Sequence, residues 1–270
     1  MTSANRNDAI GIFDSGIGGL TVFKEIAKTL PHENIIYLGD TARVPFGTKS
    51  RETVIKYTIQ NSLFLLDQGI KAIVIACNTA SAYGLEALRN YFRVPVLGVI
   101  TPGAKTAVAQ TKNKKIGVIG TEGTIRSQAY PKAIASLDPK TTTQSQACPL
   151  LVPLAEEGWF EGEVVEKILT TYLADFKKSE IDTLILGCTH YPLFKKAIAK
   201  VLSPSIQLVD SAVETAQSLK ETLEKMDIAQ KSSTPGTTRF FSTDAPERMQ
   251  RVGKLFLGKE IKEVTKVEIF

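Results

Sequence analysis

Short apolar runs alternate with amphipathic stretches from the beginning of the chain. Residues 9–13 are apolar and lead into a turn with Gly16, Gly18 and Gly19; residues 20–30 then show helical spacing and stop at Pro31. Residues 34–38 predict a second strand and 50–69 an amphipathic helix closed by glycine. Residues 71–76 predict a third strand, 81–92 a helix and 96–99 a fourth strand. The third strand is continuously apolar after Lys71, as expected of a parallel strand buried on both faces. Such βα alternation predicts a parallel sheet covered by helices on both sides.

The pattern then restarts. Residues 115–119 read as a strand ending in Gly120-Thr121, 126–137 and 161–177 as helices, and 182–187 as a strand. Ile70-Lys71-Ala72-Ile73-Val74-Ile75-Ala76-Cys77 lies over Ile181-Asp182-Thr183-Leu184-Ile185-Leu186-Gly187-Cys188 with apolar on apolar and cysteine on cysteine. Ile10-Gly11-Ile12-Phe13 echoes Ile116-Gly117-Val118-Ile119 in the same way. The tail predicts a strand at 206–209, a helix at 212–226, a Ser/Thr/Gly loop at 232–238, a strand at 239–242, a helix, and an alternating edge strand at 261–270. The expected fold is therefore α/β, with two similar three-layer parallel-sheet domains facing each other across an active-site cleft. Residues 1–98 and 208–270 would form the first domain, carrying Cys77, with the C-terminal segment returning to it. Residues 99–207 would form the second, carrying Cys188.

Composition narrows the function classes. With 270 residues, 43% hydrophobic, 23% charged and a net charge of +5, the chain has the makings of a sizeable core and no signature of disorder. Its apolar runs, such as 73–77, are too short to span a membrane, and residues 1–10 are polar with no secretory h-region, so a cytoplasmic protein with no membrane partner is expected. Three widely spaced cysteines without a CxxC argue against a disulfide framework and the usual zinc spacings, and no metal is expected. The basic residues are interspersed with Glu25, Glu33, Glu52 and Asp67; the densest group, Lys112, Lys114 and Lys115, most simply caps a turn. No nucleic-acid partner is expected.

Cys77 and Cys188 are the main chemical signal. Each ends a buried strand and is followed by small polar residues, Asn78-Thr79 and Thr189-His190. Ligands of open α/β sheets bind beyond the carboxyl ends of strands, and N–H groups at a following helix start favour anions and lower a thiol pKa. Cysteine also packs as a small buried hydrophobe. A cysteine hydrolase would need Cys188 with His190 and would leave Cys77 without a role. A redox pair would usually have its thiols close in sequence. Proton transfer on two faces of one carbon uses both thiols and the repeat. Asp14-Ser15 precedes Gly16-Ile17-Gly18-Gly19, with Asp40 at the end of the second strand, so a non-catalytic dinucleotide- or amino-acid-binding protein is a competing reading. Thr21 at the third glycine position and a carboxylate at Asp14 count against a pyrophosphate there; Asp14 better suits a substrate ammonium. The loop from Gly39 to Gly47, shaped by Pro45 and Gly47, is long enough to suggest function. Glu156-Glu157-Gly158 precedes a helix and reads equally well as capping charge. Cys148 has no mirror partner and reads as structural, and His32 as solvated.

The runs IGIFDSGIGGLTV, YLGDTARVPFGTKS, ACNTASA, GVIGTEGTI, CPLLVPLAEEG and LGCTHYPL, in this order between Ile10 and Leu193, resemble the aspartate/glutamate racemase family, and glutamate racemases within it. The resemblance implies cofactor-independent interconversion of L- and D-glutamate, supplying D-glutamate for bacterial peptidoglycan. Cys77 would take the proton from D-glutamate and Cys188 from L-glutamate. Asp14, Ser15, Asn78, Thr79, Thr189 and His190 match the family's substrate-binding pairs, while Asp14, Glu157 and His190 match residues that assist the proton transfers. Phe46-Gly47 stands where the family usually has Tyr-Gly; Phe46 and Gly47 are kept as substrate contacts through their backbone, and Asp40 as an auxiliary residue. Aspartate or another amino acid is the alternative substrate. A homodimer is expected, with no interface pattern readable in the sequence.

Overall fold

The computed structural model describes residues 5–269; Met1 to Ala4, and Phe270 at the end of the expected edge strand, lie outside the described residues. The first half runs β1 (Ala9–Asp14), α1 (Leu20–Thr29), β2 (Ile35–Gly39), α2 (Arg51–Asp67), β3 (Ile70–Ile75), α3 (Asn78–Tyr91) and β4 (Val96–Gly98). It continues through α4 (Ile100–Gln110), β5 (Lys115–Gly120), α5 (Glu122–Ser127), α6 (Ala129–Leu137), β6 (Thr142–Ala147), α7 (Leu151–Glu156), α8 (Glu163–Tyr172), α9 (Ala174–Lys178), β7 (Thr183–Gly187), α10 (Lys195–Val201) and β8 (Gln207–Val209). The tail holds α11 (Ala212–Lys225), β9 (Thr238–Ser242), α12 (Pro246–Leu257) and β10 (Thr265–Lys266).

All strands pair in parallel, in two sheets. The six-stranded sheet has the order β10-β9-β2-β1-β3-β4 and the four-stranded sheet β6-β5-β7-β8, so the tail strands return to the first sheet. The expected boundary at 207/208 falls inside β8, which pairs with β7 in the second sheet. The two units repeat one plan: β1 pairs with β3 and β5 with β7, and a strand-end cysteine follows β3 and β7 alike. The repeat explains two glycines inside strands. A Cβ on Gly11 would come within 2.8 Å of Ile70 Cδ1, and one on Gly117 within 2.7 Å of Ile181 Cδ1. Each glycine of an Ile-Gly strand thus leaves room for the isoleucine that leads into the cysteine strand beside it.

Burial accounts for the rest of the layering. All six residues of β1 and of β3 are buried, including Lys71. That ammonium is neutralised by Glu33 at 2.5 Å and donates to the Arg6 carbonyl at 2.7 Å, which a buried charge requires. Helix α1 buries Leu20, Val22, Phe23 and Ile26 on one face, and Ser50 caps α2 by accepting from Thr53 N at 3.2 Å.

The structure departs from the expected elements where backbone geometry or polarity hides them. The helix expected at 126–137 is two helices, broken at Gln128 in the left-handed region (φ 57°). The helix expected at 161–177 divides at Leu173 into α8 and α9. Helix α3 begins three residues before the expected start, which makes Cys77 its N-cap. The terminal edge strand shrinks to Thr265–Lys266.

Candidate active site

The carboxyl ends of β1, β3 and β7 converge where the two units meet. Both cysteines, Ser15, Val44 to Gly47, Asn78, Thr79, Thr121, Val152, Thr189 and His190 line one small cavity. A larger groove elsewhere, bordered by Lys49, Arg51, Arg126 and Lys132, contains neither thiol. The units touch closely over the site. A Cβ on Gly18 would lie 2.5 Å from both His190 Nδ1 and Thr189 Oγ1, and one on Gly47 would lie 2.5 Å from Thr121 Cβ. The glycine-rich turn after β1 is thus packed against the opposite unit, and a dinucleotide pyrophosphate has no room there.

The two thiols sit in different electrostatic surroundings. Cys77 is buried at the N-terminus of α3, its Sγ 3.5 Å from the Ala80 N–H and 3.6 Å from Ser15 Oγ. Burial pushes the Cys77 thiol up to about 12 and the nearby Asp14 charge adds to this, while the Ala80 N–H and Ser15 act in the opposite sense. Cys188 Sγ lies 3.7 Å from His190 Nδ1, and His190 Nε2 lies 3.2 Å from Glu156 Oε1. Burial of His190 opposes its charge, but the contacts to Cys188 and Glu156 prevail and push it up to about 10. Glu156, which burial alone would raise, is held below the usual carboxylate range by His190 and by Arg248, whose Nη2 is 3.1 Å from Oε2. Phe256 meets the His190 ring edge-on at 5.4 Å. Cys188 therefore has a cation beside it; Cys77 has an anion.

Asp14 is fully buried. Burial raises its pKa and His190 pulls it back; the Gly16 N–H donates to it at 2.9 Å and Thr189 Oγ1 at 3.4 Å. Three hydroxyls form a triangle across the units: Thr79 and Thr121 are 2.8 Å apart, and each is 3.1 Å from Thr124. Thr79 stands in the first turn of α3, and Thr121 caps α5 by accepting from the Thr124 N–H at 3.4 Å. Two helix N-termini and their hydroxyls thus face one region, a ready anion site.

Of the residues expected from sequence, Cys77, Cys188, Ser15, Phe46, Gly47, Asn78, Thr79, Thr189 and His190 line the cavity, and Asp14 lies directly behind it. Phe46 is buried and packs on Tyr57 with ring centroids 5.6 Å apart. Two auxiliary expectations are placed elsewhere. Asp40 sits beneath the loop, where it pairs with Arg43 at 2.7 Å and accepts from Asn61 at 3.0 Å and Thr243 at 3.1 Å; it fixes the loop that carries Phe46. Glu157 points outward to Arg248 at 3.4 Å, and its neighbour Glu156 supplies the carboxylate on His190, a difference that follows from the helical turn between adjacent side chains. Cys148 is buried away from the cavity and His32 is exposed, as expected. Sequence reasoning missed Thr121 and Thr124 as site residues, for which the T-x-x-T spacing after β5 is the signal, and marked the Glu156-Glu157 pair without telling its members apart.

The family model for Asp/Glu/hydantoin racemases matches residues 10–219. A glutamate racemase of Geobacter metallireducens is 51% identical over 261 residues, 97% of each chain. Among solved structures, a glutamate racemase isoform from Bacillus anthracis superimposes with a TM-score of 0.94 at 41% identity, covering 98% of each chain. The glutamate racemase of Francisella tularensis in complex with D-glutamate superimposes with a TM-score of 0.91 at 40% identity, covering 97% of this chain and 98% of that one.

Proposed function

The chain belongs to the Asp/Glu/hydantoin racemase family, and on that footing we propose that it interconverts L- and D-glutamate by proton transfer between Cys77 and Cys188 on opposite faces of the α-carbon. The observation that carries this reading is the pair of thiols from mirrored strands lining one cavity.

Glutamate brings two carboxylates and one ammonium. The Thr79–Thr121–Thr124 hydroxyls and the N-termini of α3 and α5 offer donors to a carboxylate without a full positive charge. Asp14 offers the matching anion to the ammonium. For a substrate entering as the L-enantiomer, the Cys188 thiolate takes the α-proton and the Cys77 thiol delivers its own to the other face; the D-enantiomer runs the same path backwards. His190 carries its positive charge beside Cys188, and burial keeps Cys77 protonated as the donor. Negative charge that develops on the substrate during transfer is met by fixed N–H and O–H dipoles of buried side chains and helix starts. No cofactor has a step in this scheme.

The proposal includes supply of D-glutamate for peptidoglycan, a cytoplasmic location and a homodimer. No helix among the described residues is long and apolar enough to cross a membrane. The proposed division is a first domain of residues 1–98 with the tail and a second beginning at 99, the second boundary lying after β8 rather than at 207/208. Circular dichroism on purified protein tests the activity: glutamate of either hand should racemise at least about tenfold faster, by kcat/KM, than aspartate, because one methylene changes the fit of the far carboxylate. Equal or faster turnover of aspartate would reassign the substrate, and no turnover of either would refute the reading.

A further inference from the structure

Tyr130 belongs to helix α6, packed on the second sheet, but its hydroxyl ends in the half of the site built by the first. The ring is buried and threads between β7 and α4. A Cβ on Gly187 would come within 3.0 Å of Tyr130 Cε2, and one on Gly103 within 3.2 Å of Cε1 and the hydroxyl. These two glycines, one of them adjacent to Cys188, make the channel through which the ring passes. At its far end the hydroxyl donates to Asn78 Oδ1 at 2.7 Å. Asn78 follows Cys77 directly and lines the cavity, and among the described residues its Nδ2 has no hydrogen-bond partner.

We propose that Tyr130 is a positioning residue for substrate: by engaging Asn78 Oδ1 it turns Asn78 Nδ2 into the cavity as a donor to a substrate carboxylate. This rests on the racemase reading above. The two ends of a side-chain amide have nearly the same shape, and rotation about χ2 exchanges them. With the ends exchanged, the carbonyl would face the carboxylate and repel it. The exchange would also set the phenol O–H against the amide nitrogen, another donor, and leave it only Ser211 to turn to. Burial raises the Tyr130 pKa, so the phenol stays protonated and remains a donor. The bond runs from α6 of one unit to α3 of the other. The Asn78 donor is thus set only when the two units stand together, which ties its orientation to closure of the cleft.

The test compares wild type with Tyr130→Phe, Asn78→Ala and the double variant, measuring D-glutamate affinity by calorimetry and steady-state kinetics in both directions. Tyr130→Phe removes one atom from a buried ring and should fold. It should weaken affinity and raise KM about tenfold with kcat within about threefold, since one hydrogen bond to a charged group is at stake. The double variant should bind no more weakly than Asn78→Ala alone, because the hydroxyl acts only through that amide. Affinity of Tyr130→Phe within about twofold of wild type, or losses that add in the double variant, would overturn the proposal. Turnover by wild type on the same samples separates the two levels. Its absence would refute the racemase reading, whereas failure of the positioning role shows as unchanged glutamate affinity in Tyr130→Phe.

Discussion

Cys77→Ser and Cys188→Ser are each expected to lower kcat for glutamate racemisation on the order of a thousandfold, in both directions, with little change in thermal stability. Serine has nearly the shape of cysteine, and in the N-cap position of α3 it can still accept from the Ala80 N–H, so Cys77→Ser leaves the local fold in place. What is lost is the proton chemistry. A hydroxyl holds its proton far too tightly to act as the base at neutral pH and is a poorer acid than the thiol for delivery to a carbanion. Since each direction needs one sulfur to remove a proton and the other to supply one, neither variant spares a direction. Circular dichroism at saturating glutamate reads both rates, and a melting curve reads the fold. Full activity in Cys77→Ser with an inactive Cys188→Ser would contradict two-base chemistry and return Cys188–His190 to the role of a single nucleophile and base.

His190→Asn should have the next largest effect, a loss of about a hundredfold in kcat/KM together with a change in the shape of the pH profile. In the wild type, His190 is raised to about 10 by Cys188 and Glu156 against the cost of its burial. Its positive charge is present throughout the neutral range and is lost as the pH rises through that value. The wild-type profile should therefore fall above about pH 10, when His190 loses the charge it holds beside Cys188. Asparagine keeps a polar group near Glu156 but has no titrating proton. In the variant the falling limb should move up towards the Cys77 thiol, near 12, on a lower plateau. Because L- and D-glutamate are equal in energy, kcat/KM must shift equally in the two directions. A falling limb that stays where it was would show that His190 only fills space.

The strands that lead into the cysteines are more legible in the sequence than the connections around them. The cysteine strands are continuous apolar runs beside Ile-Gly strands, and β3 and β7 lie where that pattern predicts, each ending at its thiol. Strand β6 has no such signal. Its sequence Thr-Thr-Gln-Ser-Gln-Ala is polar at every position but the last, because it lies at the sheet edge and is only partly buried. Helix α4 escaped because Pro102 and Gly103 read as breakers, although proline is tolerated in a first turn, where N–H groups have no helical partner. Glu156 and Glu157 are indistinguishable by type; only the end of α7 and the turn at Gly158 (φ 79°) decide which one meets His190. Tyr130 carries no motif, since its importance lies in a contact across 52 positions of chain that only the packed units create.

Two-base proton transfer is tested most directly by isotope labelling during early conversion of L-glutamate in heavy water. The account predicts that D-glutamate formed by the enzyme carries one solvent deuterium at the α-carbon while the remaining L-glutamate carries none, because the proton removed by Cys188 is not the one delivered by Cys77. Deuterium appearing equally in substrate and product, or D-glutamate that retains the original α-hydrogen, would mean that one base serves both faces and would contradict the account.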